Sequence, residues 1–518
     1  MKAEEILAEE IRSGKIKSPS ELQNRKIEVA RELGLGSIIR NSDILALTGK
    51  KREYLKILQK KPTRTASGVA VIAVMSSPAP CPHGKCTYCP GGGDIPNAYT
   101  GREPSAMRAT QHHFDSYGIV GARLEQLSSI GHPTDKCEVI VMGGTFPSRP
   151  MEYQADFVKG IYDGLNGSRS ESIEVSLRGN ESAHHRCIGL TFETRPDWCR
   201  KEHIDGMLAL GATRIELGVQ TLSDEIYKKV ARGHTVADVI NATRLLKDAG
   251  LKVGYHMMPG MPGSDFERDL HDFGQLFSNP DFCPDMIKFY PCLVFRGTPL
   301  YEEYARGNFR PYTTEEALSL ILQVKKIMPP WVRTMRIQRD IPIQLIEAGV
   351  KHSNLGQMLE EEMRKRGIQC RCIRCREVGL SFLRGKIASD EIEMVRREYD
   401  ASGGKEIFLS FEDRRKDLLV GFLRLRIPSD RIWRREMKKN TMLVRELHVY
   451  GFMAGIHERE KEKFQHRGFG ERLLSEAERI TREEHGAEHI LVTSGVGARN
   501  YYRRLGYEVC GVYMGKKL

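Results

Sequence analysis

Three thiols crowd one short stretch of this chain: Cys81, Cys86 and Cys89 stand in CPHGKCTYCPGGG, residues 81–93. The surrounding prolines and glycines make the segment a loop, since neither suits a helix interior. Twelve cysteines, several in close clusters, point in a reducing compartment to metal binding or catalysis and away from a disulfide framework. Three thiolates are one short of a closed tetrahedral zinc site, whereas an iron–sulfur cube held by three leaves one iron open to a substrate. His83, in the tight turn between the first two cysteines, would complete a zinc site instead. The residues favour the open cluster and leave zinc as the alternative.

A second trio, Cys370, Cys372 and Cys375 in CRCIRC, is spaced for a structural zinc, with His352 in GVKHSNLGQ as the candidate fourth ligand. Cys137, Cys187, Cys199, Cys283, Cys292 and Cys510 lie in apolar or strand contexts and are expected in the core. The glycines of GGTF, residues 143–146, suit the amino and carboxylate groups of a small molecule lying against backbone. Further on, QHRGFG (465–470) opens a helix through GERLLSEAERITREEHG, with Leu473, Leu474, Ala477 and Ile480 on one face and Gly486 as its cap. Such a turn lets backbone amides approach a pyrophosphate at the helix start.

Elements must bring these groups together. Short β-branched runs recur at 69–75, 138–144, 188–194, 214–219, 253–258, 286–290 and 333–338, separated by helical patterns. This is an α/β pattern of βα units with a parallel sheet, open or curled into a barrel, whose chemistry belongs at the carboxyl ends of the strands. After Pro342 the alternation stops; from Lys405 three runs read as antiparallel strands, followed by one helix and two more short strands. The expected organisation is a helical basic region at 1–65, a core at 66–350, a cysteine-bearing linker at 351–378 and an α+β domain at 379–518. In the first region Ile6, Leu7, Ile11, Ile44, Leu45 and Leu47 have helical spacing.

The chain of 518 residues carries a net charge of +12. Its start is too acidic for a signal peptide and its longest apolar run, Val69 to Met75, is far short of a membrane span, so a cytoplasmic protein is expected. The segment KKREYLKILQKKPTR, Lys50 to Arg64, with Tyr54 among the cations, suits RNA: basic groups meet phosphate and rings stack on bases. Arg102, Arg108 and Arg339 are further candidates for phosphate contact by location.

A three-cysteine loop after the first strand, followed by a glycine pair at the end of the second, resembles the radical S-adenosylmethionine superfamily, although four and then two intervening residues replace the more usual three and two. The strand VRELHVYG (444–451), the glycine turn and GVGARNYYRRLGYE (495–508) resemble the acetyl-CoA site of GNAT acyltransferases. The two in one chain, with KKPTRTASGVAVIAVM, YTGREPSAMRA, MGGTFPS, ETRPDWC, ELGVQT, RGHT, YHMMPGMPG, RIQRDIP and REVGL in order, resemble the Elongator catalytic-subunit family of tRNA wobble-uridine modifying enzymes, in its shorter archaeal or bacterial form.

That resemblance implies a radical S-adenosylmethionine partial βα barrel joined to a GNAT domain. Cys81, Cys86 and Cys89 would bind a 4Fe-4S cluster whose open iron chelates S-adenosylmethionine, and Gly143, Gly144, Glu216 and Gln220, at strand ends, would hold its nucleoside and methionine parts. Glu446, Leu447, His448 and Val449 would line acetyl-CoA, and Phe469, Gly470 and Glu471 would meet its pyrophosphate. Tyr502, the catalytic candidate, would close on the thioester, and Lys136 would reach the coenzyme from the barrel half. The implied reaction takes hydrogen from the acetyl methyl group by a 5′-deoxyadenosyl radical and leaves a carboxymethyl group on C5 of the wobble uridine of tRNA. The alternatives are a protein lysine acetyltransferase with the barrel as scaffold, a tRNA-binding module with a vestigial cluster, and a tRNA methylthiolase. The chain is expected to act on the tRNA anticodon, alone, as a homo-oligomer or in a larger assembly.

Overall fold

All seven β-branched runs between residues 69 and 338 become strands of one sheet. In the computed structural model, which describes residues 2–383, 391–438, 440–450 and 468–518, these are β1 (Ala70–Met75), β2 (Lys136–Met142), β3 (Arg186–Thr194), β4 (Arg214–Gln220), β5 (Lys252–Met257), β6 (Met286–Phe289) and β7 (Arg333–Ile337). They pair in sequential order, each parallel to the next. Helices such as Ser116–Ser129, Met151–Asn166, Val236–Asp248 and Thr314–Ile327 return the chain to the same end each time. Side-chain caps start three of these four: at Val236–Asp248, Thr235 Oγ1 accepts from Asp238 N at 3.2 Å and Asp238 returns the bond at 2.8 Å.

Strand alternation gives this partial barrel two different faces. Cys137, Val139 and Val141 of β2 and Ile215, Leu217 and Val219 of β4 are buried in the main core. Their neighbours Lys136, Glu138 and Ile140, and Arg214, Glu216 and Gly218, line the lumen. A polar lumen is unlike the doubly buried strands of most parallel sheets, and it leaves room for ligands.

The second sheet contains β8 (Glu393–Ala401), β9 (Gly404–Asp413), β10 (Leu418–Ile427), β11 (Thr441–Val449), β12 (His489–Val492), β13 (Glu508–Cys510) and β14 (Tyr513–Lys517), in the order β13-β14-β12-β11-β10-β9-β8. β11 and β12 are parallel and the other pairs antiparallel. Helix Phe469–Arg479 covers this sheet with Leu473, Leu474 and Ala477, and continues as one wider turn over Ile480–Glu484. Two expectations change here. β8 was not foreseen, because this edge strand carries charge on both faces, and three short strands follow the helix instead of two.

Four N-terminal helices, Ala3–Arg12, Pro19–Glu32, Asn41–Thr48 and Arg52–Leu58, enclose a small core of Leu7, Ile11, Leu22, Val29, Ile44 and Leu45. Leu47, expected on that face, is exposed, because it points away from the face that buries Ile44, Leu45 and Thr48. Gln59 Nε2 donates to Gly131 O at 3.1 Å, and His132 Nε2 lies 2.9 Å from Lys60 O, tying this region to the barrel. Five of the six cysteines expected in the core are buried; Cys510, at the end of β13, is half-buried. Among the described residues no helix is long and apolar enough to cross a membrane.

The barrel and the second sheet share an ionic seam. Lys247, Asp248, Asp285, Glu406, Arg424, Arg426 and Arg445 are all withdrawn from solvent. Arg445 stands at a bulge of β11 against β10, where Nη1 meets Asp285 Oδ2 at 2.8 Å and Nη2 meets Asp285 Oδ1 and Glu406 Oε2, each at 2.7 Å. Backbone contact is close as well. A methyl group on Gly495 would collide with the carbonyl oxygen of Ile188 in β3, and backbone cannot swing aside. Gly495→Ala is therefore expected to cost ~1–3 kcal/mol. Hydrogen exchange should then rise at β3 amides and stay unchanged in β9.

Candidate active site

The lumen opens into a cavity of about 1550 Å³ that reaches both ends of the barrel. Cys81, Cys86, Cys89, Gly144 and Gln220 line it at the carboxyl ends, and Lys136, Lys252 and Arg333 at the amino ends. Beyond the amino ends its wall is made by Glu446–Tyr450, Gly470, Glu471 and Tyr502 of the second sheet's domain. Both sets of expected site residues thus face one space. Lys and Arg outnumber Asp and Glu more than twofold along its wall, a charge balance that attracts polyanions.

The cysteine loop is held by backbone bonds: Gly84 N donates to Cys81 O at 3.0 Å, Cys89 N to Cys86 O and Thr87 N to Val230 O, each at 3.1 Å, and Leu300 N to Thr87 O at 3.0 Å. Cys86 and Cys89 are buried with Val230, Met258 and Met261, and Cys81 is half-buried. Cys89 Sγ accepts from Ala98 N at 3.1 Å, and Cys86 Sγ lies 3.2 Å from His83 Nε2. His83 therefore points at a neighbouring cysteine and not away from the loop. Burial, with Arg195 and Arg232 nearby, pushes its pKa down to about 4, so the ring is neutral at pH 7.

These residues fit an iron–sulfur cluster. Burial and then the neighbouring Cys89 and Cys86 thiols push the Cys81 thiol up, so three thiolates together need a cationic centre. The second trio has sulfurs all within 4.8 Å of one another, close enough for one ion.

Gly143 and Gly144 follow β2 with φ of 118° and 100°, and Gly144 faces the cavity. Gln220 ends β4 with φ 76°, and its Oε1 is buried without a hydrogen bond among the described residues. Glu216 corrects its expectation: it is the third residue of β4, deep in the lumen, because the strand runs on to Gln220. Its carboxylate is engaged by Lys288, by His256 Nε2 at 2.9 Å and by Arg214 Nε at 3.1 Å. Burial pushes Glu216 up, but Lys288 and Arg214 outweigh it and hold the group well below the ordinary carboxylate range. Lys288 Nζ also stands 3.1 Å from Glu193, which accepts from Tyr99 OH at 3.0 Å. Glu193, Glu216 and His256 are close enough to ligate a metal, yet the Lys288 ammonium already supplies the cation there.

In the other half, β11 pairs with β12 only over Thr441–Val444. Glu446, Leu447, His448 and Val449 continue beyond that pairing along the cavity. Glu446 accepts from Arg424 Nε at 2.8 Å, and the His448 ring lies 4.2 Å from that of Tyr450. Burial lowers the pKa of His448. Phe469 is buried against Phe411 with ring centroids 4.6 Å apart, while Gly470 and Glu471, in the first turn of the helix, reach the cavity. Gln465, His466 and Arg467 lie outside the described residues. Tyr502 is buried edge-on to Tyr501 at 5.2 Å, and burial raises its phenol. Lys136 begins β2 on the cavity wall, where burial pushes its ammonium down.

Of the arginines proposed for phosphate, Arg108 and Arg339 line the cavity, Arg339 over the Tyr99 ring at 5.8 Å, whereas Arg102 is exposed on a loop outside it. In the second trio Cys370 and Cys372 are buried. Lys325 Nζ stands 3.4 Å from Cys372 Sγ and 3.7 Å from Cys375 Sγ. Against burial, hydrogen bonds from Cys370 and Cys375 and the Lys325 charge hold the Cys372 thiol well below its ordinary value. His352 is exposed and is not part of this group, which corrects its expectation as a ligand. Arg232, Lys288 and His256 also stand at the site and were not among the expected residues. The signal for Lys288 is a lysine inside the apolar run MIKFY, since a buried lysine is almost always paired.

Family models match in order: the ELP3 N-terminal domain at residues 1–66, the radical SAM superfamily at 77–273, the radical SAM C-terminal domain at 284–365 and the GNAT acetyltransferase family at 376–507. The chain is 53% identical to a protein named tRNA uridine(34) acetyltransferase from Methanocaldococcus infernus, over 99% of this chain and 98% of that one. It is 45% identical to Elongator complex protein 3 of Homo sapiens, over 96% and 93% respectively. The solved structure of the archaeal Methanocaldococcus infernus Elp3 with an N-terminal deletion matches with a TM-score of 0.78 and 52% identity, covering 87% of this chain and all of that one. With its radical SAM half-barrel and GNAT domain facing one cavity, the chain belongs to the family of tRNA uridine(34) acetyltransferases and Elongator complex protein 3.

Proposed function

We propose that the protein is a carboxymethyluridine synthase, an acyltransferase acting on tRNA that builds a carboxymethyl group on C5 of the wobble uridine from acetyl-CoA. The observation that carries it is the single cavity bounded by Cys81, Cys86 and Cys89 on one side and by β11 and Tyr502 on the other. An ordinary acyl transfer to an amine needs no such connection. When bound, the cluster and S-adenosylmethionine supply a radical able to take hydrogen from an unactivated methyl group.

The chain's residues do the positioning. Gly143, Gly144 and Gln220 are assigned to S-adenosylmethionine. Glu446–Val449, Lys136 and the helix start at Phe469–Glu471 are assigned to acetyl-CoA, with Tyr502 at the thioester. Glu216, bound to Lys288 and His256, shapes the lumen between them. The basic region 1–65, with Arg108 and Arg339, grips the anticodon stem-loop, whose unpaired bases can be turned into a pocket. Cys370, Cys372 and Cys375 supply three of the ligands of a zinc ion between the two halves, with Lys325 Nζ beside the sulfurs of Cys372 and Cys375. Such an enzyme works in the cytoplasm, alone, as a homo-oligomer or in a larger assembly.

Anaerobically reconstituted protein, given reductant, S-adenosylmethionine, acetyl-CoA labelled with 13C in both acetyl carbons, and tRNA, should place both labelled carbons on uridine, read by nucleoside mass spectrometry. Labelled acetyl-lysine on a protein with unlabelled tRNA would instead make it a lysine acetyltransferase.

A further inference from the structure

Arg232 approaches the cysteine loop from the turn after helix Asp224–Lys229. Its Nη2 donates to Gly218 O at 2.7 Å, and its Nη1 lies 3.7 Å from Cys86 Sγ. Its backbone is fixed in turn: Arg195 Nη1 donates to Arg232 O at 2.9 Å, and Arg195 is clamped by Asp197 at 2.9 and 2.8 Å. Among the described residues Arg232 forms no ion pair with a carboxylate, and its Nε is buried without a hydrogen bond. A cation withdrawn from water needs a counter-charge, and the group within reach is the sulfur of Cys86.

We infer that Arg232 sets the reduction potential of the cluster bound at Cys81, Cys86 and Cys89. This rests on the reading of that loop as a cluster site. Reduction adds one negative charge to a group already carrying thiolates. A fixed guanidinium beside one of those sulfurs favours the reduced form more than the oxidised form, through charge and through hydrogen bonding to sulfur. Arg232 is thus a positioning residue of electrostatic kind: it makes no bond to substrate and determines how readily the centre accepts its electron.

The test is a potentiometric titration of the full-length, anaerobically reconstituted protein, followed by electron paramagnetic resonance without S-adenosylmethionine, with iron content measured on the same samples. Arg232→Gln should lower the equilibrium constant for one-electron reduction about tenfold, a shift of ~59 mV to more negative potential. Arg232→Lys should recover most of that shift. Gly218→Ala gives a second route, because its new methyl group would stand 2.6 Å from Arg232 Nη2 and push the guanidinium from the sulfur; it should shift the potential in the same direction by less. If Arg232→Gln holds no iron, the Gly218→Ala titration decides. An unchanged potential in an iron-replete variant, including one that binds S-adenosylmethionine more weakly, overturns the inference. Wild-type protein that takes up no iron overturns the reading of the loop instead.

Discussion

Cys89→Ala protein reconstituted with iron and sulfide should return to background iron content and make no detectable modified uridine, while binding acetyl-CoA as the wild type does. The thiol is buried and its sulfur accepts from Ala98 N at 3.1 Å, so the loop is already shaped around it. With two thiolates left, the centre loses one of its three cysteine anchors. The wall proposed for acetyl-CoA, from Glu446 to Val449, lies at the opposite end of the barrel and is built by a separate sheet. Iron analysis, coenzyme binding by calorimetry and nucleoside mass spectrometry on one preparation read all three outcomes. Modified uridine from this variant would remove the radical half of the account.

The largest expected effect on stability is at the seam. Asp285 is fully buried, takes both ends of Arg445 at 2.8 and 2.7 Å and accepts from Val253 N at 2.8 Å. It also faces Arg424 at 3.5 Å and Lys247 at 3.8 Å. Asp285→Asn keeps the shape and removes the charge, leaving Arg445 and Lys247 under-compensated, at a cost of ~3–5 kcal/mol. Trp331, stacked on Tyr399 at 4.4 Å and bonded through its carbonyl to Arg424, is a fluorescence probe for the loss in a urea titration. The pH dependence has a definite sign. Burial raises Asp285, but Arg445, Lys247 and Arg424 hold it well below the ordinary carboxylate value. Its contribution is therefore complete above the unfolded pKa of ~3.9 and is lost only as pH falls below it. Between pH 5 and 8 the wild type and Asp285→Asn should differ by a constant amount.

Much of this fold is legible in the chain because barrel strands such as β2 and β4 turn apolar side chains to one face and polar ones to the other. Val139, Val141, Ile215 and Leu217 announce themselves by alternation. β8 does not, since an edge strand bearing Glu393, Arg396, Arg397, Glu398 and Asp400 has no apolar stripe to read. The cysteine loop, the glycine pair and the β11 segment could be picked out as candidates because each is a local pattern. The depth of Glu216 could not be, because it depends on where β4 ends, nor could the partner of Cys86, because Arg232 is 146 residues away in the chain. His352 illustrates the converse: a histidine upstream of a cysteine trio looks like a ligand by type, but the turn before helix Leu355–Lys365 leaves it in solvent.

Acetyl-CoA carrying a fully deuterated methyl group tests the shared cavity most directly. With tRNA, reductant and S-adenosylmethionine present, the 5′-deoxyadenosine released should carry one deuterium, and the carboxymethyl carbon on uridine should keep the other two. Deuterium-free 5′-deoxyadenosine formed while the labelled coenzyme is consumed would mean that the two centres do not meet in this space.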